Sequence, residues 1–243
     1  MKKIILAIII AVASVSIVSA QVSFGLRGGF NSSTYVMGIE KISYTTNLGN
    51  NPGFYVGGLV SVPIGEIFAF QPEINYSYDG TRFAIKKSFI VDLGGPDSIG
   101  TIAVSAITHN INVPLLFKLS PSKSLGVVAG PYFSYTVGHD VKFNKNLKKV
   151  FADAGVPITG LVSGMIVEAM DDNSKNFNLG FSFGAEYVFN GGFFIDTRYN
   201  VGLLNVVSKE IKYGGIVLAN WDDIGIMPKI KHSSFHIGIG YKF

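Results

Sequence analysis

Beyond residue 20 the chain alternates apolar and polar side chains with a period of two, the mark of strands with one greasy and one polar face. Eight segments carry the pattern. In the first, Val22, Phe24, Leu26, Gly28 and Phe30 face one way and Ser23, Arg27, Gly29 and Asn31 the other. The second sets Phe54, Val56, Gly58, Val60 and Val62 against a face that holds Tyr55. The third opposes Phe68, Phe70, Ile74, Tyr76 and Tyr78 to Gln71, Glu73, Asn75 and Ser77. The fourth, Asn110 to Leu119, sets Ile111, Val113, Leu115 and Phe117 against Asn110, Asn112, Leu116 and Lys118. In the fifth, Leu125 to Val137, the apolar face is Leu125, Val127, Ala129, Phe133 and Tyr135, opposed by small residues such as Gly126, Gly130 and Ser134. Pro114 and Pro131 each remove a ladder donor, which predicts a bulge or local opening. The sixth and seventh segments flank Asn190-Gly191-Gly192, a hairpin signal. Phe177, Leu179, Phe181, Phe183, Tyr187 and Phe189 oppose Asn178, Gly180, Ser182, Gly184 and Glu186; Phe193, Ile195, Tyr199, Val201 and Leu203 oppose Asp196, Arg198 and Asn200. In the eighth, Ser234 to Phe243, the face of Phe235, Ile237, Ile239, Tyr241 and Phe243 is greasy, and that of His236, Gly238, Gly240 and Lys242 is small or polar.

The connections follow a rule of their own. Three are tight, at Pro63 to Glu66, Ser120 to Ser124 and Asn190 to Gly192, and they alternate with four long ones at about 32 to 52, 79 to 106, 138 to 176 and 205 to 233. Short turns on one side and long loops on the other are what transmembrane barrels show, the short ones periplasmic. The predicted architecture is therefore an all-β, antiparallel transmembrane β-barrel of eight strands, with the eighth segment pairing with the first so that no edge meets lipid. Within the second long connection, Arg82 to Leu93 and Ile99 to Ile107 read as strands continuing into a projecting hairpin. A ten-stranded barrel would follow if Val156 to Met170 paired with Val141 to Val150 inside the membrane. Lys142, Lys145, Lys148 and Lys149 argue for eight, because a cation on a barrel's outer face costs about 2–4 kcal/mol at mid-bilayer.

The first twenty residues set the expected compartment. Lys2 and Lys3, the apolar run Ile4 to Val18 and the small residues Val18-Ser19-Ala20 form a signal-peptide pattern, giving a signal peptide over 1–20 and a barrel domain over 21–243. Beyond it no apolar stretch is long enough for a spanning helix. Charged residues are 15% of the chain, below the roughly 25% of soluble domains, while Gly numbers 29 and aromatics reach 13%. The net charge is +4, of which Lys2 and Lys3 contribute two, so the excess makes no case for nucleic acid. With no Cys there are no disulfides and no thiolate metal sites.

Candidate chemistry lies on the inward face and in the loops. An eight-stranded interior is about wide enough for its own side chains. The inward set contains Arg27, Tyr55, Glu73, Lys118, Glu186, Asp196, Arg198, His236 and Lys242, whose mixed signs predict a lumen plugged by ion pairs, with Glu186 and Asp196 placed to meet Arg198. A hydrolase can be drawn from His139-Asp140 with Ser134, yet a loop histidine beside a turn aspartate needs no catalytic role. Asp171-Asp172 and Asp222-Asp223 could hold a divalent cation, though paired acids in loops are usually solvated. No phosphate loop or histidine-metal spacing occurs, and the expectation is no catalytic, cofactor or metal residue. Val150 to Met170 and Ile216 to Met227 are apolar for external segments, so they are expected to pack on each other or meet a partner.

The runs Gln71-Pro72-Glu73-Ile74-Asn75-Tyr76-Ser77-Tyr78-Asp79-Gly80, Ile111-Asn112-Val113-Pro114-Leu115-Leu116-Phe117-Lys118 and Ala129-Gly130-Pro131-Tyr132-Phe133, with the opening Gly25-Leu26-Arg27-Gly28-Gly29-Phe30-Asn31, resemble the Bacteroidota-type outer-membrane β-barrel family. Its members are called porin-family or PorT-like proteins. The resemblance implies an outer-membrane location and leaves the activity open. The closing residues Phe235, Tyr241 and Phe243 are similar to the carboxyl-terminal signal read by the barrel-assembly machinery. The expected partners are outer-membrane lipid, that machinery during biogenesis, and an envelope protein or surface ligand at the loops. The reading is a structural or binding barrel; the alternatives are a component of an envelope transport or secretion system and an outer-membrane barrel hydrolase.

Overall fold

The computed structural model describes residues 22–39, 44–47, 49–85, 100–153, 155, 161–225 and 228–243. The signal-peptide pattern lies outside them. In chain order the elements are β1 (Ser23–Ile39), β2 (Tyr44–Asn47), β3 (Gly49–Pro63), β4 (Phe68–Ile85), β5 (Ile102–Leu119), β6 (Leu125–Phe143), α1 (Lys145–Asp153), α2 (Leu161–Asn173), β7 (Phe177–Val188), β8 (Phe193–Gly202), β9 (Glu210–Tyr213), β10 (Ile216–Asn220), α3 (Trp221–Ile224) and β11 (Pro228–Lys242).

Eight of these strands form one closed antiparallel ring in the order β11-β8-β7-β6-β5-β4-β3-β1, with β11 returning to β1. Closure runs from Gly25↔Lys242 to Gly38↔Lys229, and beyond the last pair of strands Phe243 N–H donates to Phe24 O at 2.8 Å. The ring of eight strands thereby has no open edge, the condition for standing in hydrocarbon. The outward residues are those of the greasy faces. Phe30 is 73% exposed and Ile239 68%, and neighbouring aromatics pair along the short-turn rim, with Phe193 and Tyr241 rings 4.9 Å apart and Phe70 and Phe117 5.5 Å apart. A second group, including Phe54 and Tyr78 at 5.4 Å, lies farther toward the long loops. The hairpin at 190–192 turns because Gly191 and Gly192 both adopt positive φ, 91° and 88°.

Three expectations change. The strands run farther than the alternation suggests, with β1 continuing to Ile39 and β6 to Phe143, so the first and third long connections are shorter. The projecting hairpin is present as far as Ile85↔Ile102, and its tip lies outside the described residues. The two prolines leave the register intact: Pro114↔Tyr132 and Phe117↔Ala129 share one register, and Pro131↔Phe181 lies in an unbroken β6–β7 ladder. The shift between β5 and β6 comes instead between His109 and Asn110, where Val137 is skipped. One extra residue on β6 reverses which of its side chains point inward.

The third long connection is helical, which removes the ten-strand alternative. Asn144 starts α1 by accepting the Leu147 N–H on its side-chain oxygen at 3.0 Å, and Lys149 meets Asp153 one turn later at 3.1 Å. A helix satisfies its own backbone, so Lys145, Lys148 and Lys149 stay in water and need no partner strand, while Lys142 belongs to the end of β6. α2 is pinned at its end by Asn173, whose amide donates to Ala169 O at 2.7 Å and Lys212 O at 2.8 Å while its oxygen accepts Lys212 N–H at 2.8 Å. Asp172 adds a bond from Gly215 N–H at 3.0 Å. The third and fourth connections are thus stitched to each other beyond the loop end of the barrel.

Candidate functional site

The polar faces of the eight strands converge on the lumen and fill it in three layers. At the short-turn end Glu186 receives both Lys118 and Lys242, the latter at 2.5 Å, and the Lys242 ammonium lies 5.0 Å from the centre of the buried Phe194 ring. Leu59, Leu116 and Val128 are buried among the inward positions of this half.

The middle layer is a closed ring of ion pairs. Arg27 on β1 meets Glu73 on β4 at 2.5 Å and Asp196 on β8 at 2.5 Å, and Arg198 on β8 meets the same two carboxylates, each at 3.1 Å. Gln71 and Asn75 donate to Glu73 at 2.9 and 3.2 Å, and Tyr55 accepts from Arg27 at 3.0 Å and donates to Asp196 at 3.2 Å. Tyr55 fits there because its hydroxyl occupies the space a side chain at Gly238 would need. His236 packs its ring 4.8 Å from that of Tyr55. Every carboxylate here has a cation and further donors, which is what makes burial of charge tolerable.

The third layer centres on Asp79, 2% exposed, which accepts from Asn31 at 2.9 Å, Asn110 at 2.8 Å and Ser77. Across the three layers four cations (Arg27, Lys118, Arg198, Lys242) stand against four carboxylates (Glu73, Asp79, Glu186, Asp196). Between the side chains of the middle layer lies a space of about 20 Å³, bordered by Arg27, Glu73, Asn112, Tyr132 and Arg198. That holds about one water molecule.

The structure therefore brings Arg27, Glu73, Asp196 and Arg198 together and sets Lys118 and Glu186 apart from them. The expected Glu186–Arg198 contact is not made. Glu186 is in register with Asp196, and Gly184 is the residue opposite Arg198, so Glu186 lies one step nearer the short turns and meets lysines. Asp79, read from sequence as the start of a loop, is a lumen residue; the run Gln71, Glu73, Asn75, Ser77, Asp79 continues without a break in period and is the signal that finds it. Phe235 and Phe243 are outward and exposed and Tyr241 lies on the same face, half-buried between Phe193 and Phe243.

The drawn triad of Ser134, His139 and Asp140 does not assemble. Because of the Val137 bulge, His139 points inward, where its Nδ1 lies 2.5 Å from Asp171 Oδ1 of α2, while Asp140 points outward to His109 Nε2 at 3.0 Å. The Tyr76 hydroxyl lies 2.6 Å from His109 Nδ1 on that outer face. Asp171 and Asp172 have separate partners, and Asp223 accepts from Asn220 at 3.3 Å. Among the described residues no three His, Asp or Glu side chains converge as a metal site would require. In the fourth connection Lys212 and Glu210 pair at 2.7 Å, and that hydrogen bond holds the ammonium above its ordinary pKa.

Beyond the lumen the fourth connection is unusual. The β9–β10 hairpin exposes Ile216 (68%), Val217 and Leu218 (65%) in succession, with Ile224 of α3 and Met165 of α2 also exposed. α2 meets β9, which lies outside the apolar segment Ile216 to Met227, and Ile216, Val217 and Leu218 of that segment are uncovered.

A family model described as "Outer membrane protein beta-barrel domain" matches residues 18–208. No curated protein matches the chain. Among solved structures, the attachment invasion locus protein Ail of Yersinia pestis, in complex with a heparin analogue, is 12% identical over 91% of this chain and 99% of its own, with a TM-score of 0.40. Neisserial surface protein A is 10% identical over 90% and 97%, at 0.41. Outer membrane protein W of E. coli is 17% identical over 91% and 97%, at 0.36.

Proposed function

This chain belongs to the outer membrane protein β-barrel domain family, and from that premise we propose that it is a non-conducting barrel whose work is done by its extracellular loops, as a docking platform for an envelope or surface protein. Its place is the outer membrane. The observation that carries the proposal is the β10 segment, where Ile216, Val217 and Leu218 stand exposed in a row on a hairpin that hydrogen bonds fix to α2. Three consecutive apolar residues held out into water are a liability that a partner's surface relieves. The filled lumen supports the same reading, since it leaves the loops as the part of the molecule open to binding. A place in an envelope transport or secretion assembly is one form of such docking. The separation of His139 from Asp140 supports a non-catalytic role.

The test is mild crosslinking in intact cells followed by purification of the barrel. An Ile216→Asp/Leu218→Asp variant should reach the membrane at normal levels and lose its crosslinked partners. Retention of the same partners by that variant would contradict the platform.

A further inference from the structure

Near its loop end the outer wall carries a cross-strand row whose positive charge the described residues leave unanswered. Gly49 of β3 is in register with Arg82 of β4, Arg82 with Ser105 of β5, and Ser105 with Lys142 of β6. Thr81, Phe83 and Ala106 border the space inside the barrel, so Arg82 and Ser105 point outward. Lys142 points outward too: its ammonium lies 5.0 Å from the centre of the Tyr78 ring, which is itself stacked on Phe54. Arg82 and Lys142 are exposed, and among the described residues neither makes an ion pair.

The height of the row follows from the strand. The outward positions of β4 from Phe68 to Tyr78 are Phe68, Phe70, Pro72, Ile74, Tyr76 and Tyr78, with no charge among them. At about 3.4 Å per residue and a tilt of about 40° they climb about 25 Å, the height of a barrel's apolar band. Tyr76, Tyr78 and Phe54 therefore stand at the outer aromatic girdle, and Arg82 lies about 10 Å above Tyr78. That is the depth of outer-leaflet headgroups. Lys142, laid over Tyr78, reaches down to the girdle.

Neighbouring strands are about 4.8 Å apart, so the α-carbons of Arg82 and Lys142 stand about 10 Å apart across Ser105. Both side chains are long enough to converge on one anion between them, with the Ser105 hydroxyl as a third donor. Gly49 leaves the other flank of Arg82 without a side chain. Asp140, the outward acid one step below the row on β6, is met by His109 Nε2 at 3.0 Å. Above the row, Asn144 donates through its backbone to Ala103 O at 3.0 Å and through its amide to Thr101 O at 2.7 Å, which seats the start of α1 beside β5. Lys145 and Lys148 of that helix are exposed and extend the positive sector, while Lys149 is taken by Asp153.

Exposed cations gain little from an anion dissolved in water. A lipid changes that balance, because acyl chains packed against Ile74 and Tyr76 hold its headgroup beside the cations at a high effective concentration. The guanidinium fork matches the oxygens of a phosphate, and the ammonium adds a point charge. We propose that Arg82, Ser105 and Lys142 bind the phosphate of an outer-leaflet lipid headgroup, whose acyl chains lie along β4 and β5 below the girdle. This goes beyond the docking platform and does not depend on it, because the row shares no residue with Ile216, Val217 and Leu218.

The experiment is a lipid titration of the purified, folded barrel in uncharged micelles, read by native mass spectrometry. The probes are diphosphoryl lipid A, the same glycolipid with its phosphates removed, and inorganic phosphate. Diphosphoryl lipid A should bind saturably and about tenfold or more tightly than the stripped glycolipid. Arg82→Gln and Lys142→Gln should each weaken it about fivefold, the usual share of one cation at an anionic lipid surface, and leave the stripped glycolipid unchanged. Lys231→Gln, which removes an exposed cation from the outward face of β11, should change it by less than about twofold. Heat-dependent gel mobility reports whether each variant is folded; if one of the two row variants is not, the other provides the test. The proposal is overturned by the absence of saturable binding, by equal affinity for the stripped glycolipid, by an equal loss from Lys231→Gln, or by inorganic phosphate displacing the lipid at comparable concentrations, which would mark a site for the free anion.

Discussion

Glu73 is the most heavily committed side chain of the lumen: it takes Arg27, Arg198, Gln71 and Asn75 on two oxygens, with its side chain out of contact with water. Glu73→Gln keeps the shape and removes the charge, leaving Arg27 and Arg198 to share Asp196 alone. Truncating one member of a buried ion network costs about 3–5 kcal/mol because the survivors remain desolvated and unbalanced. Glu73→Gln should therefore lower the unfolding free energy by about that amount, read from urea titrations followed by circular dichroism. Adding Arg198→Met to Glu73→Gln should recover part of the loss, since the second change removes a stranded cation. A double variant as unstable as the sum of its parts would show that the two side chains do not act through each other.

At the scale of elements, the strands were legible because burial on a barrel wall is decided one residue at a time: Phe24, Leu26 and Phe30 go out and Arg27 and Asn31 go in, as period two dictates. Legibility stopped where that rule does. A single extra residue at Val137 reverses the sense of β6, so His139 and Asp140 exchange faces, and the continuation of the strand to Phe143 is what puts these two neighbours on opposite sides of the wall. The helices of the third connection were hidden for a different reason. The end of α2 is held by a contact distant in sequence, Asn173 with Lys212, and no local pattern announces it. Asn173→Ala removes three hydrogen bonds at once, each worth about 0.5–1.5 kcal/mol. Limited proteolysis should cut the third and fourth connections of that variant faster than those of the wild type, while the barrel itself melts at the same denaturant concentration. Unchanged cleavage would mean that Asn173 does not hold the two connections together.

At the scale of the whole molecule, the three lumen layers act in series. A solute passing through would have to part Glu186 from its two lysines, open the ring of Arg27, Glu73, Arg198 and Asp196, and displace the amides around Asp79. The layers share strands, β1 and β4 serving both the middle ring and the Asp79 layer and β5 both the Asp79 and the Glu186 layers, so they brace one another. Eight strands leave no spare width around this filling. Two consequences follow for planar-bilayer recordings. The wild-type protein should show no large, steady open steps. Glu73→Gln should be equally silent although it is less stable, because the layers on either side of it are intact. Stable conductance from the wild type would contradict a sealed lumen. Conductance from Glu73→Gln alone would instead place the entire barrier in the middle ring, and would make the Asp79 and Glu186 layers supports of the fold without a part in closing it.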